Sequence, residues 1–171
     1  MNQNFDKCMT MLLEHEGGFV NHPSDPGGMT NLGITQNTYN EFHGIRLDEQ
    51  GMRDLTVADV TPIYRRNYWD RCRCPDLPSG VDWAVFDWAV NSGTGRSAKA
   101  LQRAVEATED GVIGNITLMK VNALDPINII NRLAVYREEF YRSLSTFDTF
   151  GRGWLRRNDE TRKQAIDLGR G

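Results

Sequence analysis

At 171 residues, with 39% hydrophobic and 25% charged side chains, the chain has an ordinary globular composition and enough length to bury a real core, as one domain or one domain with a small subdomain. It has no apolar run near the ~20 residues that a membrane helix needs. Nor does it have a basic-then-apolar secretory pattern over Met1–Glu14, or the basicity of a dedicated nucleic-acid binder. The net charge of −3 is unevenly spread: −6 over residues 1–62, zero over 63–131 and +3 over 132–171. The C-terminal end therefore suits either an anionic polymer or a solvated helix surface.

Phe5, Cys8, Met9, Leu12 and Leu13 form the apolar stripe of a first amphipathic helix, which Gly17-Gly18 ends. Between Phe19 and Gly33 the chain carries Asn21, Pro23, Asp25-Pro26, Gly27-Gly28 and Asn31, a density of breakers that predicts an irregular loop or a small hairpin. Thr35 caps a short helix through Phe42. Thr56-Val57-Ala58-Asp59 is a capping sequence for a helix toward Trp69, with Pro62 a kink or delayed start. Cys74–Gly80 reads as a linker and Val81–Val90 as a strongly apolar segment. Ala98, Leu101, Ala104 and Val105 mark another helix, and Asp110-Gly111 a turn. Thr117–Leu124 is a shorter helix. Asp125-Pro126 opens a longer one, along which Ile127, Ile130, Leu133, Ala134, Arg137 and Tyr141 align, and a last helix runs from about Phe150 toward Leu168. Alternating strands are scarce. The expectation is a mainly α fold, divided into parts 1–78 and 79–171 that pack as one globule.

Three cysteines make no disulfide framework: the count is odd, and Cys72 and Cys74 are too close for a relaxed bridge. Cys8 reads as a core thiol. No ligand spacing surrounds Cys72 and Cys74, and His15, His22 and His43 lack a compact pattern, so no metal is expected. Tryptophans 69, 83 and 88 could stack on sugars, but on apolar helices they belong more often to a core.

The unusual position is Glu16. It sits at the C-terminal end of an apolar helix, where the helix dipole disfavours a carboxylate by ~0.3–1 kcal/mol. Dipole and partial burial both disfavour its charge, and an uncharged carboxyl is what a glycosidase general acid must present. The two glycines leave room for a bulky substrate. Sugar cleavage also needs a polar group on the other face of the scissile bond. A loop that folds back could bring Asp25 there, with the hydroxyls of Thr30 and Thr35 holding a water. Taken alone, Glu16 reads equally well as an exposed helix-end residue, and Asp25 before Pro26 as a routine turn starter.

The run Glu16-Gly17-Gly18-Phe19-Val20-Asn21, followed by Asp25-Pro26-Gly27-Gly28-Met29-Thr30-Asn31-Leu32-Gly33-Ile34-Thr35, closely resembles glycoside hydrolase family 108. These are N-acetylmuramidases found as phage endolysins and bacterial lysozyme-like proteins. The resemblance implies a lysozyme-like helical fold with a small loop or hairpin after the first helix, and a catalytic glutamate at Glu16. The stretch is similar, more distantly, to phage-type lysozymes, whose Glu, Asp and Thr would correspond to Glu16, Asp25 and Thr30, with the Thr offset by about one residue. Phe86-Asp87-Trp88-Ala89-Val90-Asn91-Ser92-Gly93 is similar to the family's following helix and turn, where Asn91 would line the glycan cleft. Leu101-Gln102, Asp110-Gly111-Val112-Ile113-Gly114 and Thr117 resemble a predicted peptidoglycan-binding region, and have an ordinary turn reading too.

These readings together predict a cofactor-independent muramidase cutting peptidoglycan after N-acetylmuramic acid. Glu16, Asp25 and Thr30 would be catalytic, with Thr35 and Asn91 on the substrate. The rival is a non-catalytic wall-binding or morphogenetic module on a lysozyme scaffold. Peptidoglycan strands are the expected partner, without nucleic acid or membrane insertion, and a monomer suffices. The expected place is the cytoplasm after synthesis, with the wall reached once the membrane is permeabilised.

Overall fold

A computed structural model describes residues 4–23 and 26–171. The chain divides into two compact units, one of residues 5–67 and one of Asn4 with residues 68–171. Residues 68–80 fold with the second unit because they pack on the helix that follows, and the Cys74 Sγ–H donates to the Asp82 carbonyl at 3.7 Å.

In the first unit, α1 (Phe5–His15) buries Phe5, Cys8, Met9 and Leu12, four members of the predicted stripe. A two-stranded antiparallel hairpin follows, β1 (Thr30–Asn31) and β2 (Ile34–Thr35), with Thr30 opposite Thr35 and Asn31 opposite Ile34. An isolated bridge between Val20 and Thr30 joins the incoming loop to it. Thr35 caps α2 (Gln36–His43) by accepting from the Thr38 N–H at 3.1 Å. A short α3 (Glu49–Arg53) then forms, unforeseen because five residues carry no readable period. The buried Asn31 amide donates to the carbonyls of Met52 at 2.8 Å and Arg53 at 3.3 Å, tying the hairpin to the C-terminal end of α3. Thr56 and Asp59 form the predicted capping box of α4 (Val57–Tyr64). The chain continues as π-helix over Arg65–Asp70.

The second unit is helical. After a 3-10 turn at Cys74–Asp76, α5 (Val81–Ser92) is buried from Val81 through Ala89, polar Asp82 and Asp87 included. Against it pack α6 (Thr94–Ala104), α8 (Pro126–Ser143) and α9 (Phe147–Arg170), and α7 (Asn115–Asn122) lies between α6 and α8 in the chain. Asp125 caps α8 as the Asp-Pro signal predicts, accepting from the Ile127 N–H at 2.8 Å. α9 starts earlier than expected and runs through Gly151 and Gly153. Gly151 is buried under the Phe147 ring, which occupies the space a Cβ would take. The architecture is the mainly α, lysozyme-like one with a small hairpin after the first helix. Among the described residues no helix is long and apolar enough to cross a membrane.

Candidate active site

Glu16 lies just past α1, its N–H still donating to the Leu12 carbonyl at 3.2 Å. It is half-buried, and Gly17 and Gly18 beyond it are exposed. A Cβ on either glycine would meet nothing within 4 Å, so the approach along this side is open. The carboxylate rests on the tip of the hairpin. A Cβ at Gly33 would stand 2.7 Å from Glu16 Oε2 and 3.1 Å from Cδ, and would overlap the Tyr64 hydroxyl.

The tip is a two-residue turn with Leu32 at φ 51° and Gly33 at φ 77°, both left-handed, as the right-handed twist of a tight hairpin requires. Glycine adopts this freely. Leu32 does so at a cost of about 1–2 kcal/mol, and the turn is held by the buried Tyr64, whose hydroxyl donates to the Leu32 carbonyl at 2.7 Å. Tyr64 was not singled out from the sequence, where it is one aromatic at the end of a helical stripe. Its signal is the pairing of a buried phenol with a non-glycine left-handed residue, which only the folded backbone reveals.

Thr30 and Thr35 face one another across the same hairpin. Thr30 exchanges backbone bonds with Val20, N–H to carbonyl at 2.8 Å and the reverse at 2.7 Å. The Thr35 hydroxyl donates to Thr38 Oγ1 at 2.9 Å as well as capping α2, so its first use is structural. Glu16 thus meets the tip of the hairpin whose outer pair is Thr30 and Thr35. Asp25 lies outside the described residues.

In the second unit Asn91 is half-buried near the C-terminal end of α5. Its Oδ1 accepts from the Tyr141 hydroxyl at 2.5 Å and from the Ser92 hydroxyl at 2.7 Å. Tyr141 in turn accepts from Arg137 Nε at 2.9 Å. Arg137 pairs with the fully buried Asp87 at 2.8 Å, and Asp87 is shared with Arg157 at 2.8 Å and the Thr161 hydroxyl at 2.9 Å. Burial alone would push the Asp87 carboxyl up. The two guanidiniums more than reverse this and hold it down at about 2. This network was missed because Arg137 reads as one position of an apolar stripe. A charge in that register, with a second inside the apolar α5 segment, was the available signal.

Trp69, Trp83 and Trp88 are buried, as core residues. Cys8, Cys72 and Cys74 are buried thiols that form no disulfide among the described residues. Gln102 knots its motif together: its Nε2 donates to Asp110 Oδ1 at 2.8 Å and the Val112 carbonyl at 2.9 Å, and its Oε1 accepts from the Gly111 N–H at 2.9 Å. Among the described residues no three His, Cys, Asp or Glu side chains cluster as a metal site requires.

A carboxylate at a helix end beside a hairpin tip, on a mainly helical lysozyme-like fold, is an arrangement that suits a glycoside hydrolase. Residues 9–93 match the model of the glycosyl hydrolase 108 family. The structure of SagA from Brucella abortus superposes with a TM-score of 0.89 at 41% identity, covering 100% of this chain and 98% of that one. No curated protein matches. The chain belongs to the glycosyl hydrolase 108 family, and is a glycoside hydrolase of the kind that acts on peptidoglycan.

Proposed function

We propose that this chain is an endolysin-type N-acetylmuramidase that hydrolyses the β-1,4 bond between N-acetylmuramic acid and N-acetylglucosamine in peptidoglycan. The observation that supports it most is the seat of the Glu16 carboxylate against side-chain-free Gly33, open on the Gly17-Gly18 side. Glu16 gives its proton to the glycosidic oxygen as the bond from the anomeric carbon breaks, the electron pair leaving with that oxygen. Water adds to the anomeric carbon and loses a proton to a carboxylate. Asp25, with Thr30, orients that water or steadies the oxocarbenium-like transition state, while Thr35 and Asn91 hold the glycan. The partner is the glycan strand, met by a monomer released from the cytoplasm once the membrane is permeabilised.

The test is turbidity loss of chloroform-permeabilised Gram-negative cells, wild type beside Glu16→Gln, with mass spectrometry of the released fragments. Lysis by wild type alone, with new reducing ends on N-acetylmuramic acid, is expected. Equal lysis by both would remove Glu16 from the mechanism. No lysis by either folded protein would favour a non-catalytic wall-binding module.

A further inference from the structure

The polarity of the chain from Asp87 to Asn91 has one consistent direction. A guanidinium only donates and a phenol has one proton. Arg137, held by Asp87, points its Nε–H at the Tyr141 oxygen. The single Tyr141 proton must then go to Asn91, and the Asn91 atom that receives it must be the carbonyl oxygen. Which end of an asparagine amide is oxygen is ordinarily ambiguous, but here the buried charge pair decides it. The Ser92 hydroxyl occupies the same oxygen. Nδ2, with two N–H groups, has no partner among the described residues, and Asn91 is half-exposed. Gly93 and Gly95, next along the chain, face open space.

We infer that Tyr141 is a positioning residue that locks the Asn91 amide with its oxygen held and its two N–H groups presented, making this position select a sugar substituent that accepts hydrogen bonds, such as an acetamido carbonyl, over an amine. The inference rests on Asn91 contacting the glycan, as proposed above. It also gives the ionic groups of this core a use beyond stability. A buried ion pair is often no more stabilising than apolar packing, whereas an apolar replacement would leave the Asn91 amide free to turn over.

The experiment follows the Asn91 side-chain amide by 15N NMR, assigned by its disappearance in Asn91→Asp. The probes are the trimer of N-acetylglucosamine and its fully de-N-acetylated counterpart. In wild type the acetylated trimer shifts the Asn91 amide and the deacetylated one does not. Tyr141→Phe weakens Kd for the acetylated trimer about tenfold, equivalent to ~1.4 kcal/mol, and raises KM on peptidoglycan with little change in kcat. Equal Kd in wild type and folded Tyr141→Phe, equal shifts by both trimers, or no shift by either would overturn the inference. If Tyr141→Phe does not fold, Asn91→Asp decides, since it keeps the shape and removes the donors: unchanged affinity would again refute the selection. Peptidoglycan hydrolysis by wild type is scored separately. A protein that shifts at Asn91 but releases no fragments upholds the inference and defeats the muramidase reading.

Discussion

Gly33 and Glu16 share one volume of space: the position a Gly33 Cβ would occupy lies 2.7 Å from Glu16 Oε2. The hairpin tip thus seats the carboxylate, and only glycine suits the left-handed φ of 77° there. Gly33→Ala is expected to lose at least tenfold in lytic rate and about 1–2 kcal/mol in stability from the backbone conformation alone. Initial rates on permeabilised cells and urea unfolding check this. Wild-type values for both would show that the contact does not constrain Glu16.

Tyr64→Phe removes only the hydroxyl that holds the Leu32 carbonyl. Leaving that acceptor poorly satisfied costs about 1–3 kcal/mol. Amide exchange at Leu32, Gly33 and Ile34 should accelerate while α5–α9 stay protected, with reduced lysis. Unchanged exchange at the turn would mean the hairpin is held otherwise.

The Asp87 network sets an acid limit. Because its carboxyl is held at about 2 in the folded protein, below the ordinary aspartate range, the ionised form stabilises the fold above the unfolded pKa. That contribution, on the order of 2 kcal/mol, is lost as pH falls from about 4 toward 2. Asp82 works in the opposite sense. Burial raises its pKa, against hydrogen bonds from Asn4 and the Trp83 and Gly80 N–H groups, so its contribution is largest at low pH and is lost as pH rises. Asp87→Asn, which strands two guanidiniums, should cost about 3–5 kcal/mol near neutrality and flatten the acid limb. A thermal-melt series from pH 2 to 7 for both proteins measures it. Parallel curves would contradict the assignment.

Burial pushes the Cys72 thiol up to about 12, with nearby Arg71 opposing only in part. The folded protein should therefore resist thiol reagents at pH 8 and react fully in denaturant. Rapid labelling of the native protein at Cys72, located by peptide mapping, would show that this segment opens.

The sequence alone determined the elements whose causes are local. The α1 stripe, the Thr35 cap, the Thr56–Asp59 capping box and the Asp125-Pro126 helix start are all visible within a few residues, because caps and periodicity act over one or two turns. Glu16 stood out for the same reason, as a carboxylate at the wrong end of a helix. The tertiary structure alone decided the seat of that carboxylate against Gly33, the Tyr64 hold on Leu32, and the Asp87–Arg137–Tyr141–Asn91 chain. Their partners lie 17, 32 and 50 residues apart. No local pattern ties Asp87 to Arg137. What unites them is that a buried charge needs a counter-charge, a demand that only the packed fold brings to bear.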